Sequence, residues 1–149
     1  MTVETAQHYK RPPFLVGRVA NPVLMLLIRL GMSPRGAHVL WTRGRKSGEW
    51  RKTPVNPMDY QGARYLVAPR GDTHWARNML ADPHGVLQVG KRSTDIVVEV
   101  VPVEERAPIL RAYLDRWSAE TASHFGVNKD ISVDELREIA HLHPVFRIQ

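Results

Sequence analysis

The sequence contains no cysteine. This absence excludes a disulfide framework, thiolate ligands for zinc or iron–sulfur clusters and a cysteine nucleophile, and it suits a reducing compartment. Long hydrophobic runs are also missing, because the longest, residues 23–28, is far shorter than the ~20 apolar residues of a membrane-spanning helix. Since the N-terminus also lacks a continuous apolar stretch followed by a small-residue cleavage site, the sequence predicts a cytoplasmic protein.

Several catalytic motifs are absent as well. No G-x-S-x-G elbow of a serine hydrolase, no Walker loop and no G-x-G-x-x-G segment occurs. The seven histidines do not form a convincing metal set. His141 could share a site with His143 in an extended segment or with Glu138 on a helix, but these geometries exclude each other and a third ligand is lacking. The sequence therefore predicts no metal site.

The length of 149 residues fits a single domain with one sizeable core. Apolar residues make up 43% and charged residues 24%, which is typical of globular proteins. Residues 1–13 are polar and end in Pro12-Pro13, so we expect a flexible N-terminal arm there. Residues 14–149 are then the folded domain.

The net charge of +6 conceals an asymmetry along the chain. Residues 1–92 carry 15 basic and 5 acidic side chains, whereas residues 93–149 carry 6 and 10. A basic surface of this kind attracts anions, which include nucleic acid, acidic lipid head groups and phosphorylated small molecules.

Hydrophobic periodicity and turn residues predict an α+β protein with a small antiparallel barrel. An amphipathic helix is expected over residues 14–30. Strands are expected over residues 37–42, 50–60, 64–68, 86–89, 94–101 and 143–148, the fourth and fifth being joined by a turn at residues 90–93. Further helices are expected over residues 73–81, capped by Asp72 or Thr73, and from 105 to about 124. The S-x-x-E spacing of Ser132 and Glu135 predicts a capping box before a last helix.

The strongest local signal is the turn Gly44-Arg45-Lys46-Ser47-Gly48, called here the basic loop. Two glycines allow a tight turn with positive φ, in which successive backbone amides can converge on an anion. Arg45, Lys46 and the Ser47 hydroxyl add charge and directional donors. The alternatives are a phosphate-binding loop and a solvated basic hairpin turn.

Two further segments are candidates for ligand contacts. Thr53-Pro54-Val55-Asn56-Pro57 places prolines in a strand-like run, which must therefore lie at an edge or contain a bulge. Its unpaired backbone could face a ligand ring, or it could be an irregular edge without a ligand. Trp75 and Asn78 share a helix face, which suits either a cofactor or a half-buried tryptophan beside a local cap.

Three motifs stand in order along the chain: residues 40–48 (LWTRGRKSG), residues 51–56 with Thr53-Pro54-Val55-Asn56, and residues 75–83 (WARNMLADP). Together they resemble the deazaflavin-dependent nitroreductase family, actinobacterial oxidoreductases of the split β-barrel fold that are related to flavin reductases and pyridoxamine oxidases. The resemblance covers about residues 37–101. It implies an α+β split β-barrel with flanking helices, and an enzyme that transfers a hydride from the reduced deazaflavin coenzyme F-420 to a quinone, enone or nitro compound.

The resemblance also implies where the coenzyme binds. Its phosphate region would lie against Arg45, Lys46 and Ser47, with Arg51 nearby. The coenzyme ring would be bordered by one strand, by the end of the next strand and by a helix, through Thr53, Pro54, Val55, Asn56, Ala68, Pro69, Arg70, Gly71, Trp75 and Asn78. The proton that follows the hydride could come from Tyr60, Tyr65, His38 or solvent.

Two other functions remain open. An FMN-dependent reductase could use the same fold. A non-catalytic basic module for a membrane or nucleic acid should show aromatics interleaved with Lys and Arg along an exposed strand or helix, whereas the sequence indicates a compact loop cluster. We therefore expect no nucleic acid partner. The resemblance implies a small hydrophobic electron acceptor as the partner instead. The helix over residues 14–30 could cover that acceptor, pack on the core, or contact the inner face of a membrane peripherally.

Overall fold

A computed structural model describes residues 37–117 and 130–149. The arm predicted at residues 1–13, the helix over 14–30 and the predicted helical residues beyond 117 lie outside these ranges. None of the helices within the described ranges is long and apolar enough to cross a membrane.

The described elements follow one another in the predicted order, with boundaries shifted by a few residues. They are β1 (His38–Arg43), β2 (Trp50–Val55), β3 (Met58–Tyr60), β4 (Ala63–Val67), α1 (His74–Ala81), β5 (His84–Val89), β6 (Arg92–Val100), α2 (Arg106–Arg116), α3 (Val133–Ile139) and β7 (Val145–Ile148). Single 3-10 turns at Val103–Glu105 and Ala140–Leu142 precede α2 and follow α3. The chain divides into two compact units.

The first unit, called here the hairpin unit, contains β1, β2, α1, β5 and nearly all of β6. Its strands are antiparallel neighbours in the order β2-β1-β5-β6, with Leu40 opposite both Thr53 and Leu87. Helix α1 packs on this sheet through Met79: a Cβ on Gly85 would lie 3.1 Å from Met79 Cε and 2.9 Å from the Trp41 carbonyl oxygen. The sheet and helix therefore meet closely beside the start of β5.

Two sequence predictions about this region were wrong in detail. Residues 50–60 are not one strand, because β2 ends at Val55 and β3 begins at Met58. Pro57 lies between these two strands, where its missing amide hydrogen does not remove a hydrogen bond between strands. The turn between β5 and β6 consists of Gly90 and Lys91 alone, with Gly90 at φ +59°, and Val89 already pairs with Arg92. A tight turn matches the twist of a hairpin, so both strands extend further than expected.

The second unit, called here the helical unit, contains β3, β4, α2, α3 and most of β7. Its core brings the buried faces of α2 and α3 against the short strands through Leu110, Leu114, Leu136, Met58 and Val145. The capping box is confirmed, since Ser132 Oγ accepts from the Glu135 amide at 3.1 Å and the Glu135 carboxylate accepts from the Ser132 amide.

Helix α2 ends at Arg116, well before the predicted end near residue 124. Trp117 leaves the helical conformation at φ −126° and ψ 38°, and its ring is buried 4.7 Å from that of Tyr113. Apolar periodicity places Trp117 on the helix, and its side chain does join the core. Packing of this residue therefore does not require helical backbone.

Candidate functional site

The basic loop joins β1 to β2 and is closed by its own backbone. The Gly44 amide donates to the Glu49 carbonyl at 2.7 Å, and the Gly48 amide donates to the Gly44 carbonyl at 2.8 Å. Gly48 has φ +74°, as predicted, but Gly44 does not have a positive φ. Gly44 is instead a close approach, because a Cβ there would lie 2.7 Å from Ser47 Oγ. Ser47 Oγ itself accepts from the Glu49 amide at 3.2 Å.

The residues predicted to bind an anion are exposed on this loop. Arg45, Lys46 and Ser47 are all accessible to solvent. Within residues 37–117 and 130–149, the backbone amides of Lys46 and Ser47 and the Lys46 ammonium have no hydrogen-bond or ion-pair partner. Two adjacent amides and a cation on a closed turn are an arrangement that binds phosphate groups.

Asn78, which the resemblance implies as a coenzyme contact, is held by hydrogen bonds within the protein. It lies on the buried side of α1 with 3% of its surface exposed. Its Oδ1 accepts from the Arg45 backbone amide at 3.3 Å and from Arg45 Nη1 at 2.8 Å, while Nδ2 donates to Thr42 Oγ1 at 3.1 Å. Trp75, one turn earlier on α1, is half-buried. The structure therefore brings Asn78 into hydrogen-bond contact with Arg45 of the basic loop.

The strand predicted to border a ligand ring is an edge strand, as its prolines required. Among the described strands, β2 pairs with β1 alone, and Pro54 lies opposite Val39. Thr53, Pro54, Val55 and Asn56 are half-buried. Arg51, at the start of this strand, forms an exposed ion pair with Glu49 at 3.5 Å, and its aliphatic part lies beside Gly44.

Residues 68–71 belong to the helical unit and form a tight turn after β4. The Ala68 amide donates to the Pro144 carbonyl, and the Gly71 amide donates to the Ala68 carbonyl, each at 3.0 Å. Because Pro69 has no amide hydrogen, any hydrogen bond that this segment donates to a ligand must come from Arg70, which is half-buried.

The three candidate proton donors are divided between the units. Tyr60 and Tyr65 pair across β3 and β4 with ring centroids 6.4 Å apart, and both pack against the core of the helical unit. His38 begins β1 in the hairpin unit, opposite Val55, and is half-buried. All three residues therefore stay candidate proton donors.

Sequence reasoning missed an alternation of aromatic and cationic side chains on one face of the β1–β2 hairpin. Lys52 Nζ lies 5.7 Å from the ring centroid of Trp41, directly opposite it, and the Arg43 guanidinium lies 4.9 Å from that of Trp50. The pattern is not obvious in the sequence because the partners face each other across two strands. Exposed cations therefore occur both on the basic loop and on the neighbouring face of the β1–β2 hairpin.

Two buried polar residues of the helical unit have structural roles that the sequence analysis did not indicate. Arg106 donates from Nε to the Val101 carbonyl at 2.9 Å and from Nη1 to the Ala140 carbonyl at 3.2 Å. His143 is fully buried, and its Nδ1 lies 3.2 Å from the Ala68 carbonyl oxygen. Neither has a sequence signature, since both bind backbone carbonyls. In the described part of the chain, no three His, Asp or Glu side chains are grouped so that they could hold a metal ion.

Comparisons with solved structures establish the fold. The chain is similar to an F420-H2-dependent reductase, with 24% identity over 77% of this chain and 95% of that one and a TM-score of 0.51. It is also similar to a nimc/nima family protein from Clostridium acetobutylicum (15% identity, 85% and 82% covered, TM-score 0.51) and to a putative pyridoxamine 5′-phosphate oxidase from Listeria innocua (12%, 84% and 90%, TM-score 0.50). The predicted α+β split β-barrel fold with flanking helices is confirmed.

The family follows from the sequence itself. No curated protein matches the chain significantly. The model of the family described as F420H(2)-dependent quinone reductase matches residues 23–137, which include the basic loop, the edge strand β2 and helix α1. The chain therefore belongs to the F420H(2)-dependent quinone reductases, within the deazaflavin-dependent nitroreductase family that its motifs resemble.

Proposed function

We propose that the protein transfers a hydride from reduced coenzyme F-420 to a quinone, with enones and nitro compounds as further acceptors. Family membership supports a deazaflavin-dependent oxidoreductase. The choice of acceptor and the residues that hold the coenzyme are the proposal. Under this proposal, the exposed cations and backbone amides of the basic loop all bind the phosphodiester of the coenzyme.

The observation that carries this proposal is the closed geometry of the basic loop. Its backbone is fixed by the bonds of Gly44 and Gly48, so the amides of Lys46 and Ser47 are held in place before a ligand arrives. Lys46 adds a positive charge at the same turn, and charge-assisted bonds to phosphate are among the strongest that a side chain makes. A coenzyme with a phosphodiester and an anionic glutamate tail fits this loop better than a neutral ligand.

Other residues would contact the ring and supply a proton. When bound, the reduced coenzyme supplies a hydride, and reduction of a quinone requires a proton in addition. In the hairpin unit, the half-buried residues 53–56 of the edge strand and Trp75 would border the ring. Arg70 of the helical unit is a separate candidate contact. Tyr60, Tyr65 and His38 are the candidate donors of the proton.

Fluorescence titration with coenzyme F-420 and with FMN tests the proposal. We expect binding of coenzyme F-420 to be at least about tenfold tighter, which corresponds to ~1.4 kcal/mol. The reduced coenzyme should then be oxidised in the presence of a quinone, at a rate that depends on the protein concentration. Equal or tighter binding of FMN would contradict the coenzyme assignment, and oxidation without dependence on the quinone would contradict the acceptor.

A second candidate function, peripheral contact with an anionic membrane, is favoured by the face of the β1–β2 hairpin. Trp50 is 44% exposed beside Arg43, and tryptophan with Arg or Lys is typical of membrane interfaces. Residues 14–30 would either contribute to this contact or cover the acceptor. Sedimentation with acidic vesicles that weakens as salt rises would support membrane contact, and loss of large-quinone reduction in a protein lacking residues 1–30 would support the cover.

A further inference from the structure

We propose that Asn78 is a positioning residue, which orients Arg45 and the start of the basic loop instead of contacting the coenzyme. This inference rests on the proposed function, since it assigns a role within the same anion site. It replaces the role that the resemblance implied for Asn78, which was a direct coenzyme contact beside Trp75.

The orientation of the Asn78 amide is fixed by its partners. A backbone amide can only donate, so the atom 3.3 Å from the Arg45 nitrogen must be the oxygen Oδ1. The same oxygen accepts from Arg45 Nη1 at 2.8 Å, and Nδ2 donates to Thr42 Oγ1 at 3.1 Å. Both acceptor positions of Oδ1 and one of the two N–H groups are thus engaged within the protein, which leaves little of this side chain for a ligand.

Burial makes these bonds effective. Asn78 is 3% exposed and Thr42 is 1% exposed, so water competes weakly for them. Arg45, in contrast, is an exposed residue on a turn, and a free arginine side chain loses many rotamers when it binds an anion. By ordering Arg45 before the ligand arrives, Asn78 removes that cost from binding.

The neutrality of Asn78 is part of the argument. Glu49 forms an exposed ion pair with Arg51 at 3.5 Å, which partly offsets the charge of Arg51. A carboxylate at position 78 would do the same to Arg45, whereas an amide oxygen orients the guanidinium and leaves its charge available. Among the residues that the structure describes, no carboxylate lies within ion-pair distance of Arg45. Asn78 therefore orients Arg45 without placing a negative charge beside it.

A double-mutant cycle on coenzyme affinity distinguishes positioning from direct contact. Asn78→Ala and Arg45→Ala should each raise the Kd for coenzyme F-420 on the order of tenfold. Removal of the Arg45 side chain leaves only the backbone bond from residue 45 to Asn78, so the double variant should bind at most about threefold more weakly than Arg45→Ala. A double variant whose loss is the product of the two single losses, or an unchanged Kd for Asn78→Ala, would overturn the inference.

Thr42 provides a second route if Asn78→Ala fails to fold. Thr42 is buried in β1, outside the loop, and its hydroxyl accepts a hydrogen bond from Asn78. Thr42→Val should raise the Kd severalfold, about two to five times, because Nδ2 of Asn78 loses its acceptor, and Thr42→Ser should restore it. Equal affinities for Thr42→Val and the wild type would overturn the relay through Asn78.

Limited trypsin digestion of the coenzyme-free protein examines the loop without a ligand. Trypsin cleaves after Lys46, and Asn78→Ala should speed this cleavage about tenfold, because the loop opens more often. An unchanged cleavage rate would overturn the inference even if the coenzyme did not bind. A wild-type protein that fails to bind coenzyme F-420, with faster cleavage in Asn78→Ala, would overturn the proposed function and support the positioning role.

Discussion

His143 Nδ1 donates to the carbonyl oxygen of Ala68 at 3.2 Å, although the two residues are 75 positions apart in the chain. The carbonyl can only accept, so Nδ1 carries the proton in this bond. The same carbonyl also accepts from the Gly71 amide at 3.0 Å. The turn at residues 68–71, a proposed part of the coenzyme site, is therefore fixed by a buried imidazole near the C-terminus.

His143→Leu should lower the free energy of unfolding by roughly 0.5–1.5 kcal/mol through the lost bond, since the Gly71 amide still satisfies Ala68 in part. His143→Asn should lose less, because its side-chain amide can donate from nearly the same position as Nδ1. Urea denaturation with an unchanged m-value measures both variants. Equal losses in the two variants would show that the ring volume, and not the hydrogen bond, stabilises the turn.

Lys46→Ala should weaken coenzyme binding about 10- to 150-fold, which corresponds to roughly 1.5–3 kcal/mol for a charge-assisted contact. The melting temperature should stay unchanged, because Lys46 is exposed and its ammonium has no partner among the described residues. Lys91→Ala, in the exposed turn between β5 and β6, is the matched control and should change the Kd less than about twofold. Similar losses for both lysines would show that general attraction by the basic surface, not the loop, binds the coenzyme.

Arg106→Lys should be strongly destabilising despite the retained charge. The guanidinium reaches the Val101 and Ala140 carbonyls at once, and one ammonium cannot replace this planar fork. Burial lowers the pKa of Arg106, because the buried guanidinium has lost its contact with water. Its hydrogen bonds to the carbonyls offset this desolvation. We expect a loss of roughly 2–4 kcal/mol by chemical denaturation, against less than about 0.5 kcal/mol for Arg137→Lys on the exposed surface of α3. A loss of similar size in both variants would contradict the structural role of Arg106.

Asp82 gives a small pH dependence of stability. Its Oδ1 accepts from the His84 backbone amide at 3.1 Å and contacts the His84 ring at 2.9 Å, and the side-chain bond to His84 is the main cause of its lowered pKa. A lowered carboxyl pKa stabilises the fold above the ordinary value of 3.8, and this stabilisation is lost as the pH falls through the lowered pKa. Because the pair is exposed, Asp82→Asn should cost no more than about 0.5 kcal/mol at pH 6. The stabilities of the two proteins should converge as the pH falls below 3.8 and the carboxyl becomes protonated, and a difference that does not shrink as the pH falls would contradict the assignment.

Local chemistry made much of the fold predictable. The capping box of Ser132 and Glu135 follows from hydrogen bonds within one turn, and the edge position of Pro54 follows from its missing amide. The turn of the basic loop was predictable for the same reason, since a glycine at position 48 tolerates the φ of +74° that the structure shows.

The unpredicted features depend on partners distant in sequence. Asn78 and Arg45 are 33 positions apart, and Arg106 binds Ala140 34 positions away. No periodicity reports such a pair, so the sequence indicated Asn78 as polar on a helix face but not where its amide pointed. The role of Gly44 was misread because close approach to Ser47, unlike a turn, depends on the side-chain rotamer of a neighbour.

Pro54 on β2 has a consequence for how the protein behaves at high concentration. An edge strand with a complete row of backbone donors is a template for another chain, and intermolecular strand pairing leads to aggregation. Pro54 interrupts that row, and the exposed cations Arg51 and Lys52 on the same strand repel a second positively charged copy. Pro54, one of the residues proposed to border the coenzyme ring, should thus also disfavour strand pairing between copies along β2.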